Sequence, residues 1–245
     1  MRLALLALLA AACGGSHPSR GTDVIESHAP PAKPRATPAP SVAFADGKFA
    51  LNMLPAVARA GEAVIVPISG GDAGRGYPNL KLEIHDRSDK VVQTIDVMTS
   101  NEFETFVVDG KPGPALEKRI AAANAELVRQ HNVHDLVAMH ALEMQKPLDG
   151  GEPHLAIGDG MDVDWNRTHL HVLHHNTDRE VTTYDGTPWL VKDHEPCPKC
   201  PPCENPAHLD GVWHANEINV LVIQVGYRGT DTCWEPADQM HVVVW

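Results

Sequence analysis

The residues Ile218–Tyr227 read I-N-V-L-V-I-Q-V-G-Y and form a nearly continuous apolar run. Val220 and Val222 lie on one side of an extended chain, while Leu221, Ile223 and Val225 lie on the other. A strand that is apolar on both sides is buried on both faces of its sheet. We therefore predict that Ile218–Tyr227 is a central strand around which the C-terminal part of the chain is organised.

Shorter strand patterns surround this run. A predicted strand at Val212–His214 precedes it across a turn at Ala215-Asn216-Glu217, and Met240–Trp245 is predicted as the last strand. Further upstream, β patterns occur at His154–Ile157, Met161–Asp164, Thr168–His174, Val181–Tyr184 and Trp189–Lys192. The region from residue 151 to 245 is therefore expected to be antiparallel β structure.

The N-terminal region also begins with β patterns. Ser41–Val66 predicts two or three short strands, and Asn79–Val97 predicts a hairpin that turns at H-D-R-S-D-K. Leu80, Leu82 and Ile84 are expected on one face of its first strand.

One helix is predicted at Gly113–Gln130. Pro114 suits a first helical position, and apolar residues recur at helical spacing at Leu116, Ile120, Ala123 and Leu127. For His131–Met144 we predict a second helix, with an extended segment at Leu136–Leu142 as the alternative.

These patterns predict an α+β fold, mainly antiparallel β-sheet with one or two helices packed on it and a C-terminal half stapled by disulfides. Residues 41–150 carry β-hairpins followed by the helix, and residues 151–245 carry antiparallel β structure with a cysteine-rich loop. A single continuous domain over residues 41–245 is an open alternative.

The N-terminus has the form of an export signal. Met1-Arg2 supplies a positive charge and Leu3–Ala12 is apolar, but about 20 such residues would be needed to span a bilayer. We therefore predict a signal peptide at residues 1–12 and lipidation of Cys13, which follows small residues. Residues 13–40 are rich in Gly, Ser, His and Pro, a composition that predicts a disordered tether.

The charge of the chain limits its partners. Its formal net charge of −12 excludes nucleic acid as an expected partner. Its 15 histidines raise the question of metal binding.

The other four cysteines are Cys197, Cys200, Cys203 and Cys233. In an exported protein they are expected to form two structural disulfides, and we predict Cys203–Cys233 together with Cys197–Cys200. Two alternatives stay open: a metal site joined by His194 or His208, and a redox-active C-P-K-C or C-P-P-C pair.

The segment T-H-L-H-V-L-H-H at Thr168–His175 is a candidate metal site. Its strand pattern places His169 and His171 on one face, where two imidazoles can share zinc or copper. Asp164 or His174 would supply a third ligand. The alternative is an amphipathic strand with histidines on its polar face and no cofactor.

The loop G-Y-R-G-T-D-T-C-W-E-P at Gly226–Pro236 is a candidate binding surface. Its aromatic and charged residues are Tyr227, Arg228, Asp231, Trp234 and Glu235. The alternative is a purely structural loop in which Asp231 caps the backbone and Trp234 covers one end of the sheet.

The lipobox-like signal, the proline-rich tether and the motif C-P-K-C-P-P-C-E-N-P…G-T-D-T-C-W-E-P together resemble uncharacterised envelope lipoproteins of Gram-negative bacteria. The resemblance implies an outer-membrane lipoprotein attached to the bilayer by its N-terminal lipid, since Gly14 rather than Asp follows the cysteine. It transfers no catalytic residue.

Three functional hypotheses follow. The first is a non-catalytic binding or structural module with an envelope ligand or partner. The second is a metal-binding protein or metal-dependent enzyme that uses the His-x-His strand, and the third is a thiol–disulfide protein.

Overall fold

The computed structural model describes residues 38–69, 76–145, 154–166, 168–175, 179–186, 207–215, 217–227 and 238–245. Pro38–Trp245 form one compact unit. Within the described residues, no helix is both long and apolar enough to cross a membrane.

The region before the long helix is mostly strands. They are β1 (Ser41–Ala45), β2 (Lys48–Asn52), β3 (Ala56–Ala58), β4 (Ala63–Ile68), β5 (Leu80–Asp86), β6 (Val91–Met98), β7 (Val107–Val108) and β8 (Lys111–Pro112). A 3-10 turn at Ser100–Glu102 and a short helix α1 (Phe103–Phe106) lie between β6 and β7.

The long helix α2 spans Pro114–His134, one turn further than predicted. The strands after it are β9 (Leu136–Ala138), β10 (His140–Ala141), β11 (Glu143–Gln145), β12 (Leu155–Gly158), β13 (Met161–Trp165), β14 (His169–His174), β15 (Arg179–Asp185), β16 (Ala207–Ala215), β17 (Ile218–Tyr227) and β18 (Gln239–Val244). The predicted strand Trp189–Lys192 lies outside the described residues.

Three antiparallel sheets carry most of these strands. Sheet I has the order β6-β5-β4-β3-β9, sheet II the order β10-β16-β17-β18, and sheet III the order β11-β12-β13-β14-β15. The hairpins β1-β2 and β7-β8 pair separately. The structure is thus mainly antiparallel β-sheet with helices packed on it. This confirms the predicted α+β fold class.

The apolar clusters stack these elements in four layers. Helix α2 and the β1-β2 hairpin pack on one face of sheet I, through residues such as Leu116, Leu127 and Leu82. The other face of sheet I packs on sheet II, and the far side of sheet II packs on sheet III. Sheets I and II are therefore each buried on both faces.

Strand β17 has the predicted bounds and the predicted environment. Val220 and Val222 face sheet I, whereas Leu221 and Ile223 face sheet III. All four side chains have 0 % exposure, which confirms a central strand buried on both faces.

The prediction of a helix at His131–Met144 is wrong. Asp135 adopts a left-handed conformation with φ of 48° and ends helix α2. Leu136–Ala138 then pair with β3, so that tertiary pairing along the edge of sheet I overrides the local helical pattern.

Candidate functional site

The histidine strand β14 has the predicted alternation of side chains. Leu170 and Val172 are buried, while His169 is exposed and His171 is half-buried on the outer face of sheet III. Asp164 on β13 is the register partner of His171, so these two predicted ligands lie on neighbouring strands of that face.

The other predicted ligands have different neighbours. His169 pairs in register with Asp185 on β15, and His174 pairs in register with Met161 on β13. His171 Nε2 lies 3.5 Å from Glu180 Oε1. Among the described residues, no group of three or more His, Cys, Asp or Glu side chains could hold a metal ion. The His-x-His strand thus lacks a third ligand in this part of the chain.

Several of the predicted site residues belong to segments other than the described ones. Cys13 and the four cysteines predicted to form disulfides lie outside the described residues, as do Arg228, Asp231, Trp234 and Glu235. Tyr227 is the last residue of β17. Lipidation, disulfide pairing and the binding loop therefore stay predictions.

A cavity of about 400 Å³ opens where the first three layers of the fold meet. Its walls come from strand β2, from the end of β4, from the residues that lead into β5, and from sheet II. The lining residues are Lys48, Phe49, Leu51, Pro67, Ile68, Ser69, Tyr77, Pro78, Asn79, Leu80, Trp213, Gln224, Asp238 and Met240. A concave, partly apolar space of this size is typical of a small-molecule site.

The Trp213 wall of the cavity depends on a glycine. A Cβ atom at Gly211 would lie 2.5 Å from Cη2 of Trp213 and 2.8 Å from its Cζ3. The missing side chain at position 211 thus leaves the space that the indole occupies. The sequence G-V-W on β16 therefore fixes where this indole lies at the cavity.

The β1-β2 hairpin forms the opposite wall and is attached to helix α2. The Asn124 amide pairs with the backbone of Val42 in both directions: Val42 N–H donates to Oδ1 at 2.8 Å, and Nδ2 donates to the Val42 carbonyl at 2.9 Å. Phe49 packs edge-on against Phe44 at a centroid distance of 4.9 Å. The hairpin thereby holds Phe49 at the cavity.

Two further contacts organise the cavity rim. Tyr77 stacks on Phe103 at 4.7 Å, and its hydroxyl donates to Glu104 Oε1 at 2.6 Å. On sheet II, Gln224 Nε2 donates to Asp238 Oδ2 at 2.6 Å. These contacts restrict an aromatic ring and a polar pair before any ligand binds.

A partly buried ionic chain joins strand β5 and the β5-β6 turn of sheet I to strand β18 of sheet II. Strands β5 and β18 also border the cavity. His85 Nδ1 donates to Asp89 Oδ1 at 3.0 Å, and Nε2 lies 3.3 Å from Glu83 Oε2. Asp89 also accepts from His241 Nδ1 at 2.7 Å and from the Val242 N–H at 2.6 Å. We call Glu83, His85, Asp89 and His241 the ionic chain.

The charges of this ionic chain follow from its contacts. Burial alone would lower the pKa of His85, but hydrogen bonds from both ring nitrogens to Asp89 and Glu83 outweigh burial and raise the pKa to about 9. Burial opposes ionisation of Asp89 too, yet hydrogen bonds from His241, His85 and Val242 hold its pKa below the usual value. His85 is therefore a buried cation at neutral pH.

Sequence reasoning missed both the cavity and the ionic chain. The cavity residues come from six segments that no motif connects. Within the quoted turn H-D-R-S-D-K, Asp89 has a φ of 62°, but its partner His241 lies 152 residues away. No local signal could have joined them.

No protein-family model matches the chain, and neither the curated proteins nor the solved structures contain a match.

Proposed function

We propose that this protein is a non-catalytic binding module of the bacterial cell envelope whose ligand occupies the cavity between β2, β4, β5 and sheet II. The observation that carries the proposal is the cavity itself, about 400 Å³ in volume and lined by Phe49, Tyr77 and Trp213 beside polar groups. Apolar walls with a few placed polar groups are the usual composition of a binding site.

The walls support binding without a large rearrangement. Gly211 makes room for Trp213, Asn124 attaches the hairpin, and Phe103 supports Tyr77. Because these side chains are already ordered, they lose less conformational entropy when a ligand binds.

A fragment screen by ligand-observed NMR tests the cavity. The matched pair of variants is Ser69→Trp, which places a large ring at the cavity, and Thr94→Trp, which places the same ring at an exposed position of β6. We expect fragments that bind the wild type to lose binding in Ser69→Trp and to keep it in Thr94→Trp. A screen without hits, or hits unaffected by Ser69→Trp, would contradict the proposal.

The envelope location is part of the same proposal and rests on the N-terminal sequence. Residues 1–12 would direct export, lipidated Cys13 would anchor the chain in the outer membrane, and residues 13–40 would separate the folded unit from the bilayer. Metabolic labelling with palmitate should mark the wild type and leave Cys13→Ser unlabelled. Unlabelled wild-type protein would refute the anchor.

A further inference from the structure

The aromatic residues of the cavity come from three different layers. Phe49 belongs to the hairpin, Tyr77 precedes β5, and Trp213 lies on sheet II. All three are half-buried, so part of each ring stays accessible. Aromatic rings combine large apolar faces with a rigid shape, which suits ligands that themselves have flat apolar faces.

The polar residues of the cavity offer both donors and acceptors. Asn79 and Gln224 have amide groups, and Asp238 is a carboxylate. Planar amides and carboxylates can each bind two neighbouring hydroxyl groups, because they present two polar atoms side by side. The cavity therefore combines aromatic faces with partners for hydroxyl groups.

The charges of the cavity favour a neutral ligand. Among the described residues of its lining, one is a cation, Lys48, and one is an anion, Asp238, so that their formal charges cancel. The Gln224 amide donates to Asp238 Oδ2 at 2.6 Å, so that the two side chains form a polar pair at the cavity. The net charge of −12 on the whole chain also repels anions from its surface.

We infer that the ligand is a neutral saccharide, with a sugar ring against the aromatic residues and hydroxyl groups bound to Gln224, Asp238 and Asn79. A sugar ring has apolar C–H faces and a polar hydroxyl edge, which are the two chemistries that the cavity provides together. This inference rests on the proposed function, because it names the ligand class of the same cavity.

The test is isothermal titration calorimetry of the folded protein with three sets of probes. The first set is neutral disaccharides such as maltose and cellobiose, the second is the anion glucuronic acid, and the third is the cations glucosamine and choline. We expect a neutral disaccharide to bind at least about tenfold more tightly than any charged probe.

Two Asp→Asn variants locate the binding. Asp238→Asn changes the cavity, whereas Asp96→Asn changes an exposed carboxylate on β6. Loss of a hydrogen bond to a charged group should weaken disaccharide binding by about tenfold in Asp238→Asn and leave it unchanged in Asp96→Asn. Circular dichroism of both variants would establish that they are folded.

The other outcomes separate the two proposals. Tighter binding of a charged probe overturns the saccharide inference, as does disaccharide binding that Asp238→Asn leaves unchanged. If no saccharide binds while fragments bind the cavity in the NMR screen, the saccharide class is wrong and the binding module stands. If neither fragments nor saccharides bind, both proposals fail.

Discussion

His241 Nδ1 lies 2.7 Å from Asp89 Oδ2, although 152 residues separate the two along the chain. Asp89 belongs to the turn between β5 and β6, and His241 belongs to β18 at the edge of sheet II. The other oxygen of Asp89 accepts the N–H of Val242 at 2.6 Å. The turn of one sheet thus satisfies a backbone donor on the edge strand of the next sheet, a position that is otherwise open to unwanted pairing.

Asp89→Asn tests the value of this carboxylate. Asn tolerates the positive φ of this position, so the substitution removes charge without straining the turn. It leaves the buried His85 without one of its two anionic partners, which should lower the free energy of unfolding by about 3 kcal/mol. Urea denaturation would measure the loss.

Asp96→Asn is the matched control for Asp89→Asn. Asp96 is exposed on the neighbouring strand β6, where a change of charge should alter stability by less than about 0.5 kcal/mol. Equal stabilities of the two variants would show that the ionic chain contributes nothing beyond an ordinary surface charge.

The ionic chain also predicts how stability depends on pH. Because the pKa of His85 is raised to about 9 in the folded state, its stabilising contribution is complete below its unfolded value near 6.5 and is lost as pH rises through 9. Wild-type stability should therefore fall by up to about 3 kcal/mol between pH 6.5 and 9.

His85→Gln should flatten this decline, and His140→Gln on exposed strand β10 should leave it intact. Urea titrations of the wild type and both variants at each pH would measure the decline in the free energy of unfolding. A decline of the same size in His85→Gln would assign the pH dependence to other groups.

Gly211→Ala tests the space under Trp213. The new Cβ would approach the indole to 2.5 Å, so the ring has to move. Such overpacking costs about 1–3 kcal/mol. In a Trp213→Leu background the same substitution should cost much less, because the ring that it displaces is absent. An equal cost in both backgrounds, measured by thermal denaturation, would disprove this packing relation.

Asn124→Ala tests the attachment of the β1-β2 hairpin. It removes two hydrogen bonds to Val42, each worth about 1 kcal/mol. Amide hydrogen exchange should accelerate selectively in β1 and β2. Asn132→Ala, at an exposed position on the same helix, should leave exchange there unchanged. Unchanged exchange in Asn124→Ala would contradict the proposed attachment.

Patterns that repeat along one element were predicted correctly. The stripe of helix α2 is buried at Leu116, Ala123 and Leu127, and Leu80, Leu82 and Ile84 share one face of β5 in the same apolar cluster. Periodicity suffices there because burial of one face determines the spacing of apolar residues.

The segment Leu136–Gln145 could not be predicted in this way. Its three short strands join three different sheets: β9 in sheet I, β10 in sheet II and β11 in sheet III. Each strand has only two or three residues, too few to display a period. Its conformation is determined by the sheet edges that it meets.

The sequence by itself determined the local elements. These are strand β17, which is apolar on both faces, helix α2, which starts at Pro114, and the hairpin β5-β6 with its polar turn. Only the tertiary structure decided that the sheets stack in layers, that Asp89 meets His241, and that Phe49, Tyr77 and Trp213 surround one cavity. The physical reason is the distance along the sequence over which each kind of interaction acts. Periodicity and turn chemistry act over a few residues, whereas layer packing and buried ion pairs join groups that are distant in sequence.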